Sequence, residues 1–213
     1  QDMGNYERFL DIDLTSTNYM TTGRVYQSVI DAERGMKYKG RCVQVVPHIP
    51  EEIIRRIGEA AQRAKADITI VEIGGTVGEY ENILFLEAIR EMKLKNPKNI
   101  AIVLVSYLPV PSHLGEMKTK PTQHASRLLN NAGLQADVLV ARGPMDLDKP
   151  RREKLATFCG ISKENCISAP DVETIYEIPV WLEAQNTGNK LLKVLGKHPQ
   201  SSKLSAWNGL VNT

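Results

Sequence analysis

Cysteine is scarce in this chain, and the three present, Cys42, Cys159 and Cys166, fall at irregular intervals that match neither a zinc ligand set nor a disulfide framework. Reduced thiols in a cytoplasmic protein are the direct reading. Long apolar runs are missing too: the longest, Ile100 to Val105 with its flanks, is too short to span a bilayer. The first residues contain neither the basic nor the apolar region of an export signal. Charge of one sign does not dominate, because 27 Lys and Arg stand against 25 Asp and Glu for a formal net charge of +2. That balance argues against a nucleic-acid partner or a membrane surface, and any anionic ligand must be met by a few placed cations. The signatures G-x-x-x-x-G-K-[ST], H-E-x-x-H and G-x-S-x-G do not occur. There are no internal repeats and no low-complexity tracts. A soluble globular chain of 213 residues can bury one large core, or one core with an appended tail.

What is present is an alternation of strands and helices. Thr21 and Thr22 precede a helix expected from Gly23 to about Arg34, with Val25, Val29 and Ile30 on one face and Gly35 as its stop. Cys42 to Val46 reads as a short buried strand, and Pro50 then opens a second helix, with Glu51 and Glu52 in its first turn. A strand over Ile68 to Ile73 is followed by a helix from about Asn82 to Lys95, whose Leu84, Leu86, Ile89 and Met92 form a buried stripe. Ile100 to Ser106 and Ala136 to Ala141 read as further strands. Helices are expected over Pro121 to Asn131, closed by Gly133, and over Pro150 to Phe158. Cys166 to Ser168 reads as a last short strand, and Thr174 to Leu195 as helix broken around Pro179 and Gly188. The alternation predicts an α/β fold, a mainly parallel sheet with helices on both faces. From Lys197 to Thr213 periodicity gives way to Pro, Ser, Asn and Gly, the composition of a linker or tail.

Two stretches stand out from this scaffold. In the first, Ile68 to Glu81, Glu72 interrupts an apolar strand near its carboxyl end, where a carboxylate is costly unless paired, neutral or holding a cation. Gly74, Gly75 and Gly78 permit close backbone approach and positive φ, and Glu79 and Glu81 add acids. The stretch reads either as an acidic metal-and-nucleotide loop or as a strand with a solvated acidic turn. The second stretch, Gly115 to His124, puts Lys118 and Lys120 just before Pro121 at a helix start. Ammonium groups and unpaired amides there point into one space, an arrangement suited to an anion; the other reading is a basic turn on the surface. Both loops are expected to leave the same sheet edge, where carboxylates for a metal and lysines for phosphate would suit a Mg²⁺-triphosphate. Lys154 is a candidate additional cation. His48 and His113, lone histidines beside prolines, read as structural.

Beyond composition and spacing, the chain closely resembles the amidoligase (synthetase) domain of CTP synthases. The resemblance runs from Gln1 to about Leu195. It is carried by Gly-Asn-Tyr-Glu-Arg-Phe, Thr-Thr-Gly-Arg-Val-Tyr, Val-Gln-Val-Val-Pro-His-Ile, Val-Glu-Ile-Gly-Gly-Thr-Val-Gly and Lys-Thr-Lys-Pro-Thr-Gln-His, in that family's order and spacing. It implies a P-loop-NTPase-like, Rossmann-like domain over residues 1–196, with 197–213 leading towards a glutaminase domain. It also implies ATP-dependent amination of UTP to CTP through a 4-phosphorylated intermediate, using ammonia from glutamine.

By match, Asp2 and Glu72 would be Mg²⁺ carboxylates. Lys118, Thr119, Lys120, Pro121, Thr122 and Gln123 would hold the phosphates of UTP or CTP, Lys118 and Lys120 acting in catalysis and Lys154 reaching the same nucleotide. Glu79, Tyr80 and Glu81 match a pyrimidine-nucleotide loop that usually reads Asp-Ile-Glu in the family, so the acid is kept and the fit altered. Asp171 and Val172 resemble the segment beside the adenine of ATP, and Asp2 belongs to the same ATP site. The family places a P-loop segment before the equivalent of Asp2, so a polypeptide of these residues alone is expected to form no CTP, or only a trace. A homotetramer is the assembly the resemblance implies. Three other readings are a related P-loop ligase of the dethiobiotin synthetase kind, a non-catalytic nucleotide-binding assembly module, and an inert fragment prone to pair along its sheet edge.

Overall fold

The computed structural model describes residues 3–113, 115–201 and 204–211. By packing, these fall into two compact units, one made of residues up to Gly75 with Glu79–Glu91, the other of Thr76–Gly78 with residues from Met92 onward.

The first unit is helical. It holds α1 (Met3–Leu10), α2 (Thr22–Arg34), α3 (Val45–Ala64) and the start of α4 (Ile83–Lys95). Thr21 caps α2 as its sequence promises, its side chain accepting from the Arg24 amide at 3.3 Å. Val25 and Val29 of α2 and Ile49, Ile53 and Ile57 of α3 are buried, and the two helices pack on each other. Arg56 ties them together, donating to Ser28 Oγ at 2.6 Å and to Glu52 at 2.8 Å. Arg55 also donates to Glu52, and these hydrogen bonds hold the Glu52 carboxyl below the usual carboxylate range.

Two expected strands are absent from this unit. Cys42 to Val46 is irregular and then helical: Cys42, Val45 and Val46 are exposed, and α3 is interrupted at Val46, whose φ of −113° and ψ of 127° are not helical. Because Val46 lies outside the helical path, Pro50 breaks no regular hydrogen bond to it, which is why a proline is tolerated there. Ile68 to Ile73 forms no strand either; Ile70 is 89% exposed, and Glu72 is exposed rather than buried. The physical reason is pairing. β-branched composition favours a strand only where a neighbouring edge supplies hydrogen bonds, and among its described residues this unit contains helices alone. The acidic loop therefore does not follow a strand.

The second unit carries the sheet. Strands β1 (Val103–Tyr107), β2 (Val138–Gly143) and β3 (Cys166–Pro170) are all parallel and lie in the order β1-β2-β3. Each connection passes through a helix, as parallel pairing requires: α5 (Lys120–Asn131) joins β1 to β2, and α6 (Lys149–Cys159) joins β2 to β3. The class expected from the sequence, α/β with a parallel sheet flanked by helices, is the class observed. Leu104, Leu139 and Cys166 stand side by side in the register and are buried, as are Val138, Ile167 and Leu155. Two residues further on, Ser106 Oγ and Thr122 Oγ1 of α5 lie 2.9 Å apart, fixing α5 over that face. Asp137 secures the start of the sheet, accepting from the Ile102 amide at 2.8 Å and from Lys93 at 3.1 Å.

Past β3 the chain forms a short 3-10 turn (Ile175–Glu177), α7 (Ile178–Ala184) and α8 (Thr187–Val194). Pro179 starts α7 rather than breaking it, and the interruption falls at Asn186, where φ is +55°. A short helix α9 (Ser205–Val211) follows, its Trp207 indole donating to the Tyr176 carbonyl at 2.8 Å. Cys159 and Cys166 are buried, and desolvation raises both thiols, Cys166 to about 11, so they serve as apolar core.

Leu139 is fully buried in the central strand, whereas Val105 on the edge strand is 60% exposed. Leu139→Ala should cost about 3 kcal/mol in denaturant unfolding, with Val105→Ala costing under about 1 kcal/mol. Equal losses at the two sites would show that the sheet does not organise the unit's stability.

Candidate functional site

In a parallel sheet every strand ends at the same edge, and the loops that follow are where ligands meet the fold. The loop after β1 is fastened to the fold near both of its ends. Leu108 is fully buried, and its amide donates to the Arg142 carbonyl at 2.7 Å, carrying the ladder one residue beyond the strand. The chain then loops out and returns, the Lys118 amide donating to the Pro109 carbonyl at 2.9 Å. Met117 is 5% exposed, an apolar anchor between Glu116 and Lys118, whose side chains stay in contact with solvent. Gly143 makes room for this crossing, since a Cβ there would sit 3.1 Å from both the Leu108 carbonyl oxygen and Met117 Cε.

The returning loop delivers the chain into α5. Thr119 makes no side-chain capping bond, and Pro121 occupies the first turn, so the positive end of the helix has no carboxylate or hydroxyl cap of its own. α6 begins differently: Asp148 accepts from the Arg151 amide at 2.8 Å and also pairs with the Arg151 guanidinium. Arg151 Nε donates to the Met117 carbonyl at 2.8 Å, drawing the start of α6 towards the loop before α5.

The result is a cavity of about 440 Å³ lined by Glu116, Met117, Lys118, Thr119, Lys120, Pro150, Arg151 and Lys154. Lys118, Thr119, Lys120 and Lys154 were expected at a common anion site, and all four line this one cavity. Pro121, Thr122 and Gln123 stand just behind. Thr122 and Gln123 are buried, and Gln123 Nε2 donates to Thr119 Oγ1 at 3.0 Å. That bond occupies the Thr119 oxygen as an acceptor and leaves its O–H as a donor. Lys120 Nζ lies 5.9 Å from the centre of the Phe158 ring.

Four lining residues were missed by sequence reasoning, the apolar Met117 and Pro150 and the charged Arg151 and Glu116. The signal for Arg151 was the Asp-Lys-Pro-Arg start of α6. Glu116 gave none, because its meaning depends on Arg151 arriving from a different helix. Its carboxylate pairs with Lys118 and lies 3.4 Å from Arg151 Nη2, and the hydrogen bond from Lys118 holds its carboxyl below the usual range.

The remaining predicted residues lie elsewhere in their own units. In the second unit Asp171 follows β3; its amide donates to the Gly143 carbonyl at 2.9 Å, and its carboxylate accepts from Arg142 at 3.2 Å, while Val172 is half-buried. In the first unit Glu72 accepts from the Tyr6 hydroxyl, and Glu79, Tyr80 and Glu81 are exposed, Tyr80 at 93%. Gly75 has the positive φ expected of it, +85°, and a Cβ there would meet Glu79 Oε2 at 2.8 Å. Asp2 lies outside the described residues. His48 Nδ1 lies 3.0 Å from the Gln44 amide, at the start of its own helix. Among the described residues there is no cluster of three or more His, Cys, Asp or Glu able to hold a metal, and no helix is long and apolar enough to cross a membrane.

A parallel α/β unit with a cationic cavity at the carboxyl edge of its strands is the general class that fold and site define. Comparison with known proteins makes this specific. The family model described as CTP synthase N-terminus matches residues 1–196, and the chain belongs to that family. Proteins named CTP synthase from Pyrococcus abyssi, Dehalococcoides mccartyi and Methanothermobacter thermautotrophicus are 47%, 44% and 40% identical to it. The alignments cover 99%, 99% and 100% of this chain but 39%, 39% and 40% of those relatives, so the chain spans about two-fifths of their length.

Gly143→Ala should destabilise the second unit by about 1–3 kcal/mol, because the new methyl meets backbone that must move. Denaturant unfolding measures this. A fully neutral substitution would show that the loop is not braced against β2.

Proposed function

We propose that this chain is the synthetase part of a CTP synthase, a ligase that forms a C–N bond by aminating UTP to CTP. In this reading ATP phosphorylates the uracil 4-oxygen, and ammonia released from glutamine by a separate glutaminase domain displaces the phosphate. The observation that carries the proposal is the cavity at the start of α5, where Lys118, Lys120, Arg151 and Lys154 surround an uncapped helix end. Four cations and a helix dipole are suited to the triphosphate of UTP or CTP.

Each residue has a task that follows from its setting. Lys118 and Lys120 take phosphate oxygens and stabilise negative charge as it develops. Thr119 offers its O–H, oriented by Gln123 behind it, and Lys154 extends the cationic wall. Glu79, Tyr80 and Glu81 are assigned to the pyrimidine nucleotide, and Asp2, Asp171 and Val172 to ATP, on the family match. The donor chemistry of Glu72 suits Mg²⁺, which takes one or two carboxylates beside substrate phosphates. Glu72 is exposed and steadied by the Tyr6 hydroxyl, with Asp2 as the second candidate ligand. When bound, Mg²⁺ supplies charge neutralisation for phosphoryl transfer. A homotetrameric assembly and a cytoplasmic location belong to the same proposal.

Calorimetric titration of UTP and CTP with and without Mg²⁺ tests it. Lys120→Ala should weaken binding by about 10- to 100-fold, the worth of one charge-assisted hydrogen bond. A polypeptide of these 213 residues alone should bind nucleotide without forming CTP. Unchanged affinity on Lys120→Ala would remove the cavity from the nucleotide site, and turnover of UTP with ATP, Mg²⁺ and ammonia would contradict the expected inactivity.

A further inference from the structure

Four cations in one cavity repel each other, and the molecule already answers part of that repulsion from within. Glu116 pairs with Lys118 through Oε1 and approaches Arg151 Nη2 to 3.4 Å through Oε2, each oxygen serving a different cation. Arg151 cannot easily leave, since its Nε is held by the Met117 carbonyl at 2.8 Å and its Nη1 by Asp148. Lys120 and Lys154, by contrast, form no ion pair among the described residues; Lys120 rests towards the Phe158 ring. The cavity is thus divided into two open cations and two that are already answered.

We propose that Glu116 is a resident competitor, a carboxylate occupying the phosphate positions at Lys118 and Arg151 that an incoming polyanion must displace. The inference rests on the cavity being a phosphate site, as proposed above. Its physical basis is a contest between unequal anions. The Glu116 side chain is 52% exposed and on a flexible stem, so its ion pairs are individually weak and it can swing into solvent. A triphosphate can engage Lys120, Lys154 and the helix end with some of its oxygens, then exchange others for Glu116 at Lys118 and at Arg151 Nη2, the guanidinium nitrogen that neither Met117 nor Asp148 holds. A small anion reaches only part of this set and gains little by the exchange. Glu116 therefore makes the cavity selective for polyphosphates, and it spares the ligand-free protein two unanswered charges.

The experiment uses inorganic tripolyphosphate and orthophosphate, titrated calorimetrically into the wild-type chain, Glu116→Gln and Glu116→Ala, with thermal unfolding of each variant as the folding control. The expected result is wild-type binding of tripolyphosphate without measurable binding of orthophosphate. Both variants should bind tripolyphosphate more tightly, by about two- to fivefold on removal of an exposed competing ion pair, and should gain measurable orthophosphate binding. Combining Glu116→Gln with Arg151→Ala should shrink that gain, because the competitor and its cation are then both absent. If Glu116→Gln, folded as the wild type, binds tripolyphosphate equally or more weakly, Glu116 positions the cations and the inference is overturned. If neither wild type nor variants bind tripolyphosphate at all, the phosphate reading of the cavity falls, and the inference falls with it.

Discussion

The arrangement depends on one loop being held still against the sheet. Between β1 and α5 the chain is fastened by the Leu108 amide to β2, by Lys118 folding back onto Pro109, and by the buried Met117 side chain over the bare Cα of Gly143. Without those fastenings, Lys118 and Lys120 would be two solvated side chains on a surface turn. With them, the cations gather where the α5 dipole ends, and the Arg151 guanidinium, bound to the Met117 carbonyl, is drawn into the same wall. Burial of one methionine thus positions charges that are themselves exposed.

Much of this was legible in the residues. The apolar β-branched runs at Val103 and Val138 announced strands, and Thr21, Pro121 and Gly133 marked helix ends correctly to within a residue or so. These features are local: capping, proline geometry and short-range periodicity each operate within one or two turns. The placing of two lysines at a helix start was legible as well, because a proline in the first turn fixes that start locally.

What escaped reading was pairing over distance. Cys42 to Val46 and Ile68 to Ile73 have strand composition, yet one is partly helical and the other irregular, since composition cannot say which edge a strand will find. With the strand goes the place expected for Glu72 near its carboxyl end: the carboxylate is exposed, beside Tyr6. Glu116 and Arg151 were overlooked for the same reason, being 35 residues apart in sequence and meaningful only as a pair. The family resemblance supplied roles for the lysines but pointed at neither of these two residues.

The central claim is that the start of α5 holds nucleotide phosphates. Amide chemical shifts followed by NMR during addition of UTP to the isotope-labelled chain test it most directly. The largest changes should fall on the amides of Thr119, Lys120, Thr122 and Arg151, with smaller ones along β2. Saturating changes confined to other parts of the sheet edge, such as Asp171 and its neighbours, with the α5 amides unmoved, would contradict it.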